Sequence, residues 1–169
     1  MENKFVATAL FTKYMKISDA EDDELFALYL NSAQEIIESY VGYQLAEKEY
    51  RHSVTAAQRL SLQGINIRDL RIAGESAEIT GQWVNVVKTA QDFEEGAVLP
   101  VTYTAGFTAD TIPSVFKLTI MRIAALMTSE EGGDIAVTGK SFGSDGGRTF
   151  IATRDYSRLL SELDAYRVL

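Results

Sequence analysis

Ser18-Asp19-Ala20-Glu21-Asp22-Asp23-Glu24-Leu25-Phe26-Ala27-Leu28-Tyr29, continuing through Ala33-Gln34-Glu35-Ile36-Ile37-Glu38-Ser39-Tyr40-Val41 to Gly42, decides the fold. Ser18 with Glu21 three residues later reads as a capping box, in which each side chain satisfies an orphan N–H of the first turn. Asp22, Asp23 and Glu24 place negative charge where the helix dipole favours it. Leu25, Leu28, Tyr29, Ser32, Ile36 and Tyr40, widened by Phe26, Ala33 and Ile37, recur at helical spacing and form one apolar face. Gly42 supplies the stop, because it can take the left-handed conformation past the last turn. The predicted helix is roughly 20 residues and ~30 Å long.

Outward from this helix the period changes. On its N-terminal side, Thr8 to Met15 reads as a short helix with Leu10, Phe11, Tyr14 and Met15 apolar. On its C-terminal side, from about Tyr50 to Gly106, apolar residues alternate with polar ones: Leu60/Leu62, Ile65/Ile67, Leu70/Ile72, Val84/Val86 and Val101/Tyr103. A period of two predicts half-buried strands, here three to five short antiparallel ones, with Gly64, Gly74, Gly81 and Gly96 as turns. Pro113 then opens a third helix, where a missing N–H costs nothing. Its stripe of Phe116, Ile120, Ile123 and Met127, widened by Val115, Leu118 and Leu126, is the most apolar in the chain and the expected centre of the core. Residues 132–147 hold six of the twelve glycines and read as a flexible linker. Arg148 to Thr153 reads as a strand. A last helix from Asp155 carries Tyr156, Leu159, Leu160, Leu163 and Tyr166 as an apolar stripe that needs a partner surface. The expected fold is α+β: a mainly helical bundle of about four helices, an inserted antiparallel β region at about 50–106, and a Gly-rich linker before the C-terminal helix. Residues 1–131 form the expected domain and residues 132–169 the linker and arm.

The chain has 169 residues, 46% of them apolar and 24% charged, enough to bury a core without staples. It has no cysteine, so disulfides, thiolate metal sites and a Cys nucleophile are all absent, which fits a reducing compartment. No apolar run approaches the roughly 18 residues of a bilayer span, and Met1 to Lys4 does not begin a secretory leader, so no membrane partner is expected. The net charge of −8 is unevenly placed. Residues 19–49 carry nine acids against the single base Lys48, and so account for all of it. A phosphate-binding surface concentrates Lys and Arg instead, so no specific nucleic-acid binding is expected. An acidic helix face is also what keeps an ordinary protein solvated.

No constellation for catalysis emerges. Gly139-Lys140-Ser141 matches only the end of a phosphate-binding loop: that pattern needs a glycine at position 134, which is Asp. His52 is the single histidine and reads as a strand-edge residue, since it has no second imidazole to share a metal or build a triad. The acids from Asp19 to Glu24 lack the glycine and the alternate spacing of a calcium loop, and N-terminal charge complementation explains them. Trp83 and the eight tyrosines read as packing residues. No cofactor, metal or catalytic residue is expected.

Three stretches together resemble the head–tail connector (head-completion adaptor) family of tailed bacteriophages. Tyr14 to Leu25, continuing to Ala33-Gln34-Glu35-Ile36-Ile37-Glu38-Ser39-Tyr40-Val41-Gly42-Tyr43-Gln44-Leu45, is similar to that family's short helix, acidic turn and long helix with a Glu-x-Tyr-x-Gly ending. Val101-Thr102-Tyr103-Thr104-Ala105-Gly106-Phe107 is similar to its strand running into Ala-Gly-aromatic, with Ile112-Pro113 starting the apolar helix as in the family. Leu159-Leu160 to Tyr166-Arg167 resembles its closing leucine-rich segment. The chain departs from the family at Met127-Thr128-Ser129-Glu130-Glu131 and in the length of its glycine-rich stretch.

The resemblance implies a non-enzymatic virion protein, made in the host cytoplasm and built into the neck at the head–tail interface. It implies a homo-oligomeric ring, of twelve subunits in the virion, that docks beneath the portal protein, extends the DNA channel and offers a platform to stopper or tail-completion proteins. On this view Asp19, Glu21, Asp22, Asp23, Glu24, Glu35 and Glu38 are channel-side candidates that keep phosphates from adhering. Tyr156, Leu159, Leu160, Leu163, Tyr166 and Arg167 are candidates for docking onto the portal or a neighbour, ordering on binding. The alternatives are another neck or tail-completion ring protein (a stopper or tail terminator), against which two long amphipathic helices speak, and a small cytosolic binding module.

Overall fold

The structure, a computed structural model, describes residues 2–17, 23–57, 59–83, 85–91, 93–131, 137–140, 148–150 and 156–168. Along the chain run α1 (Thr8–Met15), α2 (Asp23–Val41), β1 (Lys48–Thr55), β2 (Leu60–Ser61), β3 (Arg68–Ile72), β4 (Glu75–Ser76), β5 (Ile79–Trp83), β6 (Val86–Thr89), β7 (Val98–Ala105), α3 (Ser114–Glu131), β8 (Val137–Lys140), β9 (Arg148–Phe150), α4 (Ser157–Leu160) and a 3₁₀ segment (Ser161–Tyr166). They fall into two compact units: Met1–Ile37 with Pro113–Asp164, and Glu38–Ile112 with Ala165–Leu169. The α+β content is as the two sequence periods predict.

The helical unit is built on stripes. On α2, Phe26, Leu30, Ala33 and Ile37 recur at spacings of three and four and are buried, while Leu28 points outward with 58% of its surface exposed. The buried face is therefore narrower than the predicted one, because Leu28 lies half a turn from its centre. On α3, Phe116, Ile120, Ile123 and Met127 are all buried. Phe11 of α1 meets Phe26 edge to face at 5.7 Å. Asn3 fastens the segment before α1: its Oδ1 accepts from the N–H groups of Phe5 and Val6 at 3.0 Å, and its Nδ2 donates to the Leu30 carbonyl, Asn31 and Gln34. A buried amide with all of these partners costs little to bury and fixes the chain's entry to the unit.

The β unit holds more strands than predicted. Seven lie between Lys48 and Ala105, in an antiparallel sheet of order β1-β7-β3-β4 and another of order β2-β6-β5. Residues of both sheets share one core, including Leu60, Leu70, Ile72, Val87, Val101 and Tyr103. β1 pairs with β7 over eight residues, from Lys48 opposite Ala105 to Thr55 opposite Val98. Gly64, Gly74 and Gly96 have positive φ in turns, whereas Gly81 lies inside β5 at a register irregularity and makes a bulge rather than a turn. Ile65 and Ile67 are not a strand, and the Ile65 carbonyl instead accepts the Gly106 N–H at 2.7 Å.

Gly106 carries the sharpest constraint in the β unit. Its φ is +102°, and a Cβ there would stand 2.6 Å from the Ala46 carbonyl oxygen. Only glycine lets the chain leave β7 this way, with Phe107 N–H bonded to Leu45 O at 2.8 Å and Glu47 N–H to Phe107 O at 3.0 Å. The Ala-Gly-aromatic run thus has a geometric cause. At the end of α2, Gly42 (φ +86°) donates to the Glu38 carbonyl at 2.9 Å, the predicted left-handed stop.

Two further readings change. The glycine-rich stretch 132–147, read as a linker, contains β8, which pairs antiparallel with β9. The predicted last helix begins at Ser157 and tightens after one turn into the 3₁₀ segment, where residues three apart eclipse one another.

Candidate functional site

Of the acidic candidates, Asp19, Glu21 and Asp22, like the capping box at Ser18, lie outside the described residues. Asp23 and Glu24 are exposed in the first turn of α2, and Glu35 is exposed one helical stretch further on. Glu38 differs: it is half-buried, and its Oε1 accepts the Leu45 N–H at 2.9 Å. Its carboxylate closes the turn after α2, and its charge contributes, after burial, to holding the Tyr50 pKa above the ordinary tyrosine value.

The C-terminal candidates divide by direction. Leu163 is fully buried in the helical unit, and Glu162 beside it takes both oxygens to Arg122 at 3.0 and 3.1 Å. Tyr156, Leu159 and Leu160 are half-buried, with the Tyr156 hydroxyl buried and unpaired. Tyr166 is half-buried and Arg167 exposed; both belong to the β unit, where the Arg167 guanidinium lies 5.0 Å from the Tyr40 ring and Val168 N–H donates to the Val41 carbonyl at 2.9 Å. Leu163 thus fixes its part of the segment in the helical unit, where Tyr156, Leu159 and Leu160 stay partly open.

Gly139 and Lys140 sit in β8, an extended strand, which does not converge N–H groups on a phosphate as a helix N-terminus does. His52 lies on β1, an outer strand, opposite Val101 and edge to face on Tyr103 at 5.5 Å. Among the described residues no group of three or more His, Asp or Glu could hold a metal ion, and no helix is long and apolar enough to cross a membrane.

The sequence reading missed an open cleft of about 910 Å³ in the β unit, bordered by β1, the β2 segment and the turn after α2. Its walls include Tyr43, Lys48, Tyr50, His52, Arg59 and Gln63, and none of the described residues that line it is acidic. Tyr50 stacks on the buried Tyr103 at 5.3 Å, with Lys48 Nζ 5.5 Å from the outer ring. The Tyr103 hydroxyl donates to the Gln63 carbonyl and accepts the Gln63 N–H at 2.7 Å. Burial, with Tyr50 adding and this main-chain bond opposing, pushes its pKa up to about 12. Tyr43 is 7% exposed; its hydroxyl is buried without a partner, and burial raises its pKa well above the usual tyrosine value. The signal available in sequence was the alternation Lys48-x-Tyr50-x-His52-x-Val54, hidden by the charged residues between.

No family model matches the sequence, and no curated protein does. Among solved structures, the chain is similar to one from the neck of an empty gene transfer agent (GTA) particle computed with C6 symmetry, at TM-score 0.56 and 14% identity, covering 98% of this chain and 90% of that one. A chain from the virion of a native gene transfer agent particle aligns at TM-score 0.53 and 15% identity, over 98% and 92% of the two chains. A third, from the neck of a native particle computed with C12 symmetry, aligns at 0.50 and 17% identity over 100% and 97%. The likeness runs nearly end to end, and the chain shares its fold with chains of these particles.

Proposed function

We propose that this chain is a structural, non-enzymatic subunit of the neck of a phage-like particle, an adaptor in the ring between head and tail. The observation that carries the reading is the end-to-end fold likeness to chains of gene transfer agent necks, including neck assemblies computed with C6 and C12 symmetry. The connector-like order of long helix, β region with Ala105-Gly106-Phe107, and apolar α3 supports the same assignment independently. In this reading the subunit forms a homo-oligomeric ring in the virion, twelvefold like the C12 neck. It docks beneath the portal, extends the DNA channel and receives the stopper or tail-completion protein.

The placement of charge fits such a role. The acid surplus of residues 19–38, with Asp23, Glu24 and Glu35 exposed, suits a surface bordering a DNA channel, because uncompensated carboxylates hold phosphates off. Tyr156, Leu159 and Leu160 of the helical unit and, separately, Tyr166 and Arg167 of the β unit are the proposed docking residues for the portal or a neighbour. Half-buried apolar residues next to an Arg are the composition of interface anchors. The test is genetic. Particles made without this chain should accumulate filled heads and separate tails, and restoring it should join them. Joined particles in its absence would refute the role.

A further inference from the structure

β1 is an outer strand beside β7 and runs for eight residues, whereas the outer strands β2, β4 and β5 have two, two and five. Its register shows which way its main chain points. Ala56 N–H donates to the Ala97 carbonyl at 2.7 Å, one step beyond the Thr55–Val98 pair, so the even-numbered residues of β1 bond to β7. On the far side of β7 the Pro100 carbonyl accepts from Ala73, just past β3, which gives the same parity. Antiparallel pairing alternates in this way, so Glu49, Arg51, Ser53 and Thr55 turn their N–H and C=O groups off the sheet. Among the described residues no main-chain bond reaches those groups. Proteins ordinarily shorten, bulge or cover such an edge, because it is a template for another strand. No proline or bulge interrupts β1, and its charges lie in the first half, leaving Ser53-Val54-Thr55 without any. The open cleft of about 910 Å³ borders it from Lys48 to Thr55, and the Tyr43 hydroxyl in the cleft wall is buried without a partner.

The same chain holds strands that lack a neighbour. Among the described residues, β8 and β9 pair only with each other. A two-stranded ribbon is marginal in water by itself, and a third strand or a packed face is what stabilises it. We propose that the β8–β9 ribbon of one copy adds to the open edge of β1 in the next copy, with β9 as the incoming strand. β9 is the pairing edge because β8 carries Gly139 at a register irregularity, and an irregular edge pairs poorly. Each side then supplies what the other lacks: the ribbon gains a third strand, and β1 gains partners for the outward groups of residues 49, 51, 53 and 55. Edge and ribbon are different patches of one molecule, so the contact is heterologous and builds a ring when the rotation closes. The proposal rests on the ring reading above and deepens it by naming the seam between neighbours.

The chain has no cysteine, so introduced thiols report the contact without background. Full-length Thr55→Cys and Thr149→Cys chains are purified, mixed at high concentration and treated with a short flexible bis-maleimide, which tolerates a small difference in register. A linked pair of one Thr55→Cys and one Thr149→Cys chain is expected in excess over either like pair, and the doubly substituted chain should give a ladder of linked oligomers. Ser53→Pro removes an N–H that points off the sheet, so the bonds to β7 and the melting temperature should hold while linking falls by roughly fivefold or more. The linking pattern decides the matter even where Ser53→Pro fails to fold. Four results would each overturn the proposal: no link, like pairs through Thr55→Cys as abundant as mixed ones, linking only within single doubly substituted chains, or unchanged linking in a folded Ser53→Pro chain. Joining of heads to tails is measured separately, so the neck reading and this seam can fail independently.

Discussion

The helical unit and the β unit are stabilised in different ways. In the helical unit, cores come from stripes on single helices, and each buried residue sits three or four positions from the next. In the β unit, the core is assembled by pairings between distant residues, such as Gly106 with Ile65 and Tyr103 with Gln63. The first kind of core depends chiefly on filled volume, the second on a few backbone positions that admit one residue type. Substitutions should separate them.

The largest loss is expected in the helical unit. Ile120→Ala or Ile123→Ala removes a fully buried side chain, and each should cost about 2–5 kcal/mol in chemical denaturation. A loss below roughly 0.5 kcal/mol at both would mean that α3 is not the core. In the β unit, Gly106→Ala should cost about 3 kcal/mol, since strain at positive φ adds to the close approach of Ala46. Gly74→Ala is the control: φ is +88° but nothing lies within 4 Å of the added Cβ, so only the conformational cost of about 1 kcal/mol remains. Equal losses at the two glycines would remove the steric reason given for the Ala-Gly-aromatic run.

Alkali should weaken the β unit through its tyrosines. Below pH 10 the Tyr103 phenol keeps its proton whether the chain is folded or not. Above it the unfolded chain ionises first, so stability falls as pH rises from 10 through about 12. Tyr103→Phe should flatten part of that decline, measured as melting temperature against pH, at the cost of the hydroxyl's bonds to Gln63. An unchanged slope would show that the phenol ionises as readily folded as unfolded. The smallest effect expected is none: millimolar ATP with Mg²⁺ should leave the melting temperature unchanged, because Lys140 lies in an extended strand. An upward shift growing with ligand would revive a phosphate site.

The same division explains what could be read in the sequence. Phe116, Ile120, Ile123 and Met127 announce their burial because helical period is a local signal, and Gly42 announces the end of α2 for the same reason. Leu28 misleads because period alone gives a helix's apolar residues and not the angle its partner covers. Strand number was undercounted because β4 is two residues long, too short to show a period, and because Lys48 and His52 of β1 and Gly81 of β5 fill positions where the alternation needs apolar residues. The cleft was invisible because it depends on which strands end up outermost, a property of pairing order. Burial of Leu163 was likewise hidden, since a stripe shows that a partner is needed and not which one.

The central claim is that this chain forms a neck ring on a portal, and the most direct measurement is electron microscopy of the purified protein mixed with its cognate portal. The account predicts a ring of this protein seated coaxially on one face of the portal, with twelvefold averages. Portals that remain bare at saturating protein, or bound protein scattered without a ring, would contradict it.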